Sequence, residues 1–123
     1  MIFDKLSNQV MESAIEVHKF LGPGLLESSY EQCLAYELTQ RKIRFKLQQS
    51  IPVQYKTVNL DCGYRIDLLV EDKLIIELKR VEILLPIHEA QLLTYMKLAK
   101  IKIGLLINFN VRRLKDGLKR FVL

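Results

Sequence analysis

The chain has 123 residues, half of them hydrophobic and 27% charged, a balance that fits one globular domain over residues 1–123 burying about two-thirds of its unfolded surface. Lys and Arg number 19 against 14 Asp and Glu, giving +5 and a pI near 9.3, which permits a polyanionic partner without demanding one. No apolar run approaches the ~20 residues of a membrane span, and two isolated cysteines with two His and no CxxC argue against zinc.

The opening Met1-Ile2-Phe3-Asp4-Lys5 acquires charge at once, so no signal peptide is expected and the setting reads as reducing and cytoplasmic. From residue 4 to about 20, Leu6, Val10, Ala14, Val17 and Leu21 form a helical stripe. Gly22-Pro23-Gly24 then forces a tight corner. A second helix follows over about 26–41, with Leu26, Tyr30, Cys33, Leu34 and Leu38 on one side. Cys33 and Cys62 read as core or near-core thiols. From Ile43 the period becomes two, giving a strand, or two with a bend at Ser50-Ile51-Pro52. Asn59 to Gly63 reads as a turn. Tyr64–Val70 and Leu74–Val81 form a hairpin across Glu71-Asp72-Lys73. Pro86 precedes a helix from about Ile87 to Lys100, and Ile103–Phe109 is a central strand buried on both faces. The basic tail, Arg112 to Arg120, closes the fold as a turn plus a short element. The order α-α-β-β-β-α-β predicts an α/β sandwich with a mixed β-sheet flanked by helices.

Side chains alternate along a strand, so the hairpin register decides which charges meet. An unbulged two-residue turn at Glu71-Asp72 would pair Asp67 with Ile76 and separate the acids. A three-residue connection, Glu71 to Lys73, or a bulge restoring that register, puts Asp67 opposite Glu77 on one face. Ile66 then faces Leu78, and Leu68 faces Ile76, on the other.

In that register Asp67 and Glu77 can hold a divalent cation, and Lys79 can polarise an attacking water or steady phosphorane charge. Two carboxylates and an ammonium on rigid strands are the minimum kit for binding Mg²⁺ and breaking a phosphodiester. The competing account is a cross-strand salt bridge. The surrounding Ile, Leu and Val weigh against it, because ionisable groups are costly there unless paired or metal-bound. Gln91 and Tyr95 lie four apart on one helix face, with His88 close by. They can order a water or contact a phosphate, or else be a solvated amide and a core aromatic. His88 reads as a structural hydrogen-bonder. Glu27, in the first turn of the second helix, suits the helix dipole at least as well as a metal. Arg65 and Arg80 flank the acids and point away from them.

Asp67 followed by Glu77-Leu78-Lys79 resembles the signature of the PD-(D/E)XK nuclease superfamily. Gln91-Leu92-Leu93-Thr94-Tyr95 resembles the Q-x-x-x-Y helix of its RecB-like branch. Gly24-Leu25-Leu26-Glu27-Ser28-Ser29-Tyr30 resembles the element that gives the GxxExxY proteins their name, and the similarity runs from Leu21 to Gly117. The resemblance implies a restriction-endonuclease-like fold and a nuclease using Mg²⁺, with Mn²⁺ as a substitute. Asp67 and Glu77 would bind the metal, Glu27 would be a further active-site acid joining the metal directly or through water, Lys79 would assist catalysis, and Gln91 and Tyr95 would shape the site. The implied partner is nucleic acid, DNA ahead of RNA, with a second copy of the chain as a means of embracing a duplex. An accessory or regulatory subunit that binds nucleic acid on the same scaffold is the alternative. Two positions depart from the pattern: Ile66 replaces the proline of the superfamily's name, and Arg80 stands where a small residue is expected.

Overall fold

The structure is a computed structural model and describes residues 4–123. The Met1-Ile2-Phe3 stretch, where no signal peptide is expected, lies outside the described residues. Helix α1 (Lys5–Leu21) begins where the Asp4 carboxylate accepts hydrogen bonds from the Ser7 N–H (3.0 Å) and the Ser7 hydroxyl (2.6 Å), satisfying donors that a helix start leaves open. Val10, Ala14 and Val17 are its buried stripe. It ends at Gly22, whose φ of +70° suits a residue without Cβ.

Helix α2 (Glu27–Gln40) buries Tyr30, Leu34 and Leu38. Tyr30 fixes the corner between the helices. Its hydroxyl donates to the Gly22 carbonyl (2.6 Å) and accepts from the Leu25 N–H (3.1 Å), while its ring stacks on Phe109 at 4.2 Å. The tyrosine of the glycine-acid-tyrosine element is therefore a structural clamp on the glycines that precede it.

The strands are β1 (Phe45–Ser50), β2 (Val53–Tyr55), β3 (Val58–Leu60), β4 (Arg65–Val70), β5 (Leu74–Lys79), β6 (Ile103–Asn108) and β7 (Leu118–Val122). Helix α3 (Pro86–Ala99) lies between β5 and β6, and a 3-10 turn, Leu114–Gly117, precedes β7. The five-stranded sheet runs β1-β4-β5-β6-β7, antiparallel except where β5 and β6 pair in parallel across the α3 crossover. The expected order survives as α1, α2, β1, β4, β5, α3 and β6. Strand β7 supplies the short closing element.

Three readings need correction. Asn59 and Leu60 are strand residues, because β3 pairs with β2 in a separate hairpin closed at Lys56-Thr57. Its strands are three residues long and largely exposed, too short and too wet to give a periodic signal. Cys62 is exposed in the loop after that hairpin, whereas Cys33 is half-buried. Ile66 does not share a core with Leu68. It packs with Ile51, Ile75, Leu92 and Tyr95 under α3, while Leu68 and Leu78 pack under α1 and α2. The alternation of faces fails at Asp67, beside Gln48, whose φ is +50° within β1.

The hairpin connection has the length the register argument requires. Glu71 and Asp72 both adopt positive φ, and Val70 pairs with Leu74, Leu69 with Ile75 and Leu68 with Ile76. Strand β6 is buried on both faces. Helix α3 approaches it closely because residue 104 is glycine: a Cβ there would stand 2.7 Å from Met96 Sδ and 3.0 Å from Leu92 Cδ1.

Tyr30→Phe keeps the stacked ring but leaves the Gly22 carbonyl and Leu25 N–H without their partner. Urea denaturation should show a loss of about 1–3 kcal/mol. An unchanged midpoint would mean that the corner holds without the clamp.

Candidate active site

Backbone pairing between β4 and β5 stops one residue short of the acids. The next pair after Leu68 and Ile76 would be Asp67 and Glu77, yet side chains take over there. The Asp67 N–H donates to Glu77 Oε1 (3.2 Å), and the Leu78 N–H donates to Asp67 Oδ2 (2.8 Å). Each carboxylate thus accepts from the opposite strand's backbone, which fixes both without a ladder bond between their main chains. The β1–β4 ladder has its gap at the same level, passing from Leu47–Leu68 to Gln49–Ile66. Gln48, in that gap, turns its amide to donate to Glu31 Oε1 (2.6 Å) and Asp67 Oδ1 (3.3 Å).

Lys79 ends β5 on the same strand face as Glu77. Its ammonium donates to Gln91 Oε1 (3.3 Å), and the Gln91 amide donates to the Tyr95 hydroxyl (3.0 Å). The i, i+4 pair on α3 therefore holds the lysine as a short relay. Two bonds anchor the strand end behind it. The Phe109 N–H donates to the Lys79 carbonyl (3.0 Å), and the Asn108 side chain bonds both the N–H and the carbonyl of Val81 (3.0 and 2.8 Å). Among the described residues no ion pair joins Lys79 to Asp67 or Glu77. A closed salt-bridge network is not what the fold has built.

The remaining sequence candidates fall outside this cluster. Glu27 opens α2, is exposed, and has no hydrogen bond or ion pair to the two acids among the described residues. The acid that α2 brings to Asp67 is Glu31, one turn further on and buried. Sequence reasoning passed over Glu31, although a spacing of four places it on the Glu27 face. Gln48 carried no signal, because its role depends on an unusual φ. His88 accepts the Leu85 N–H at Nδ1 (2.9 Å) and completes the start of α3. Arg65 bonds the Ser50 hydroxyl and Arg80 reaches the Leu25 carbonyl (3.4 Å), both away from the acids.

Burial, then the negative charge of Asp67, raises the Glu77 carboxyl from 4.5 to about 8, against the opposing pull of the Asp67 N–H and the Lys79 charge. Glu31 is also raised, chiefly by burial, with the Gln48 bond opposing and the Asp67 charge adding. Burial raises the Tyr95 phenol, so it stays a hydrogen-bonding hydroxyl. This is an excess of negative potential that protein groups do not neutralise, and a hard divalent cation would do so. Among the described residues no three His, Cys, Asp or Glu side chains form a ready-made metal cage. Two carboxylates suit Mg²⁺ all the same, which completes its shell with waters and phosphate oxygens.

A profile of the PD-(D/E)XK nuclease superfamily matches residues 4–121. The chain belongs to that superfamily. Neither a curated protein nor a solved structure matches it. Membership gives a nuclease-like function and nucleic acid as the substrate class, in a superfamily whose nucleases generally use divalent metals. The five-stranded mixed sheet with its flanking helices is the restriction-endonuclease-like fold of that superfamily. Among the described residues no helix is long and apolar enough to cross a membrane.

The Glu77 shift predicts a pH dependence. Its folded pKa lies above the unfolded value, so its proton-linked stability is full below about pH 4.5 and is lost as pH rises through about 8. Melting temperatures taken in chelator from pH 5 to 9 should fall more steeply for the parent than for Glu77→Gln, which stays neutral. Parallel curves would show that Glu77 ionises without strain.

Proposed function

We propose that the chain is a divalent-cation-dependent phosphodiesterase that hydrolyses nucleic acid, with Mg²⁺ or Mn²⁺ held by Asp67 and Glu77. The observation that carries this reading is the gap in the sheet at one level, where two carboxylates converge beside an ammonium that has no ion-pair partner among the described residues. A divalent cation bound there would supply Lewis-acid stabilisation of the phosphate and lower the pKa of water. Glu31, linked to Asp67 through Gln48, would hold Asp67 in place and accept bonds from ordered water. The resemblance makes Glu27 a further acid that meets the metal directly or through water; Glu31 is the α2 acid that contacts the cluster here, through Gln48.

Lys79 places positive charge at the mouth of the pair, where negative charge builds on the phosphorane. Gln91 keeps that ammonium in position by accepting a hydrogen bond from it, and Tyr95 in turn holds Gln91. Those two contacts and the Gly24, Glu27 and Tyr30 spacing support placing the chain with the RecB-like and GxxExxY proteins. DNA is the first substrate to test and RNA the second.

The test is incubation with single- and double-stranded DNA and RNA in Mg²⁺ or Mn²⁺. Cleavage should stop on chelation, and Lys79→Ala and Asp67→Asn should each lose at least about 10²-fold in rate. Parent protein that binds nucleic acid without cutting it, with binding intact in both variants, would favour an accessory subunit instead.

A further inference from the structure

Beside the catalytic cluster lies an open cleft of about 530 Å³ between Tyr64 and the outer face of α3. Its lining includes Tyr64, Ile87, His88, Gln91, Thr94 and Tyr95. Gln91 and Tyr95 belong to the lysine relay, so the cleft begins one side chain away from Lys79. We propose that it is a nucleobase subsite, taking one unpaired base next to the scissile phosphate, so that the substrate is single-stranded nucleic acid or a frayed end. The proposal rests on the phosphodiesterase reading above and names the form of substrate that reading leaves open.

Chemistry selects the occupant. Among the described residues no Lys, Arg, Asp or Glu lines the cleft, so it is neither a phosphate track nor a cation site. What lines it is aromatic and aliphatic surface with three uncharged hydrogen-bonding side chains. That combination suits a flat heterocycle with polar edges. His88 accepts a backbone N–H at Nδ1, so its neutral ring carries the remaining proton on Nε2, a donor. Gln91 and Thr94 add further donor and acceptor capacity.

Placement supports the same occupant. Tyr64 is 47% exposed, and its carbonyl accepts the Ile51 N–H at 2.9 Å, which pins it at the entrance to β4. Its ring stands 6.1 Å from the Tyr95 ring and tilted by 52°, a corner rather than a closed stack. Asp67 follows only three residues later, within β4. A base stacked at Tyr64 would thus anchor a nucleotide whose phosphate reaches the acids. Bases within an intact duplex are stacked on each other and present no face to such a corner.

The experiment is a coupling cycle between the protein and the base. Oligothymidylate and an abasic strand of the same length, built from tetrahydrofuran residues, are compared in two readouts: kcat/KM in Mn²⁺, and Kd by fluorescence anisotropy in Ca²⁺. Tyr64→Ala should lose about 10- to 100-fold on oligothymidylate, and its loss on the abasic strand should be at least about fivefold smaller. Tyr64→Phe should retain the parent's preference. Thr94→Trp, which fills the cleft from an exposed helix position, should reproduce the Tyr64→Ala loss and covers the case of a poorly folded Tyr64→Ala. A blunt duplex should be a poorer ligand than either of its single strands.

Equal losses on the two strands, undiminished action of Tyr64→Ala on oligothymidylate, or a duplex bound and cut as well as a single strand overturns the base subsite. Absence of cleavage of every strand by the parent overturns the phosphodiesterase reading, and the Kd cycle then still decides the subsite.

Discussion

The site depends on one exchange of hydrogen bonds. Where β4 and β5 should continue their ladder, Asp67 and Glu77 each accept a backbone N–H of the opposite strand, at 2.8 and 3.2 Å. Ordinary sheet pairing would have tied those backbone groups to each other and left the carboxylates to solvent or to a lysine. Exchanging them brings both acids against the sheet and satisfies the backbone donors, which buried N–H groups require. Gln48 makes the matching break in β1, so the gap has walls on both sides.

Charge in the gap is deliberately out of balance. Glu77 is 5% exposed and lies beside a second carboxylate, a like-charge pair that keeps its proton into mildly alkaline solution. Lys79 does not cancel this, because its hydrogen bond goes to Gln91 rather than to either acid. A cation arriving there would meet carboxylates already positioned and would take the place of the proton that Glu77 holds. Such preorganisation is what electrostatic catalysis needs. The rest of the fold serves that arrangement. Gly104 lets α3 sit close to the sheet so that Gln91 can reach the lysine, and Tyr30 with Phe109 secures the corner from which α2 delivers Glu31.

Much of this was legible in the chain itself. Three charges inside apolar strand patterns marked the hairpin as the candidate site, and parity asked for a three-residue connection or a bulge, of which β4 and β5 show the first. The Gln91–Tyr95 spacing predicted a shared helix face, and the structure makes it a hydrogen bond. What was not legible depends on backbone irregularity or on long-range contact. Gln48 acts through a positive φ that glutamine seldom adopts, and Ile66 changes core because the strand loses its alternation at Asp67. Glu27 and Glu31 share a helix face, so periodicity could not say which reaches the sheet; the corner held by Tyr30 sets how far α2 has turned when it does. The β2–β3 hairpin escaped because its strands are too short and too exposed to leave a pattern.

The most direct measurement is calorimetric titration of Mn²⁺ into the protein in the presence of a nucleic-acid oligomer. This account predicts saturable binding that is strongly weakened by both Asp67→Asn and Glu77→Gln and unaffected by Glu27→Gln. No binding by the parent, or binding that survives both substitutions, would contradict a cation held between the two strands.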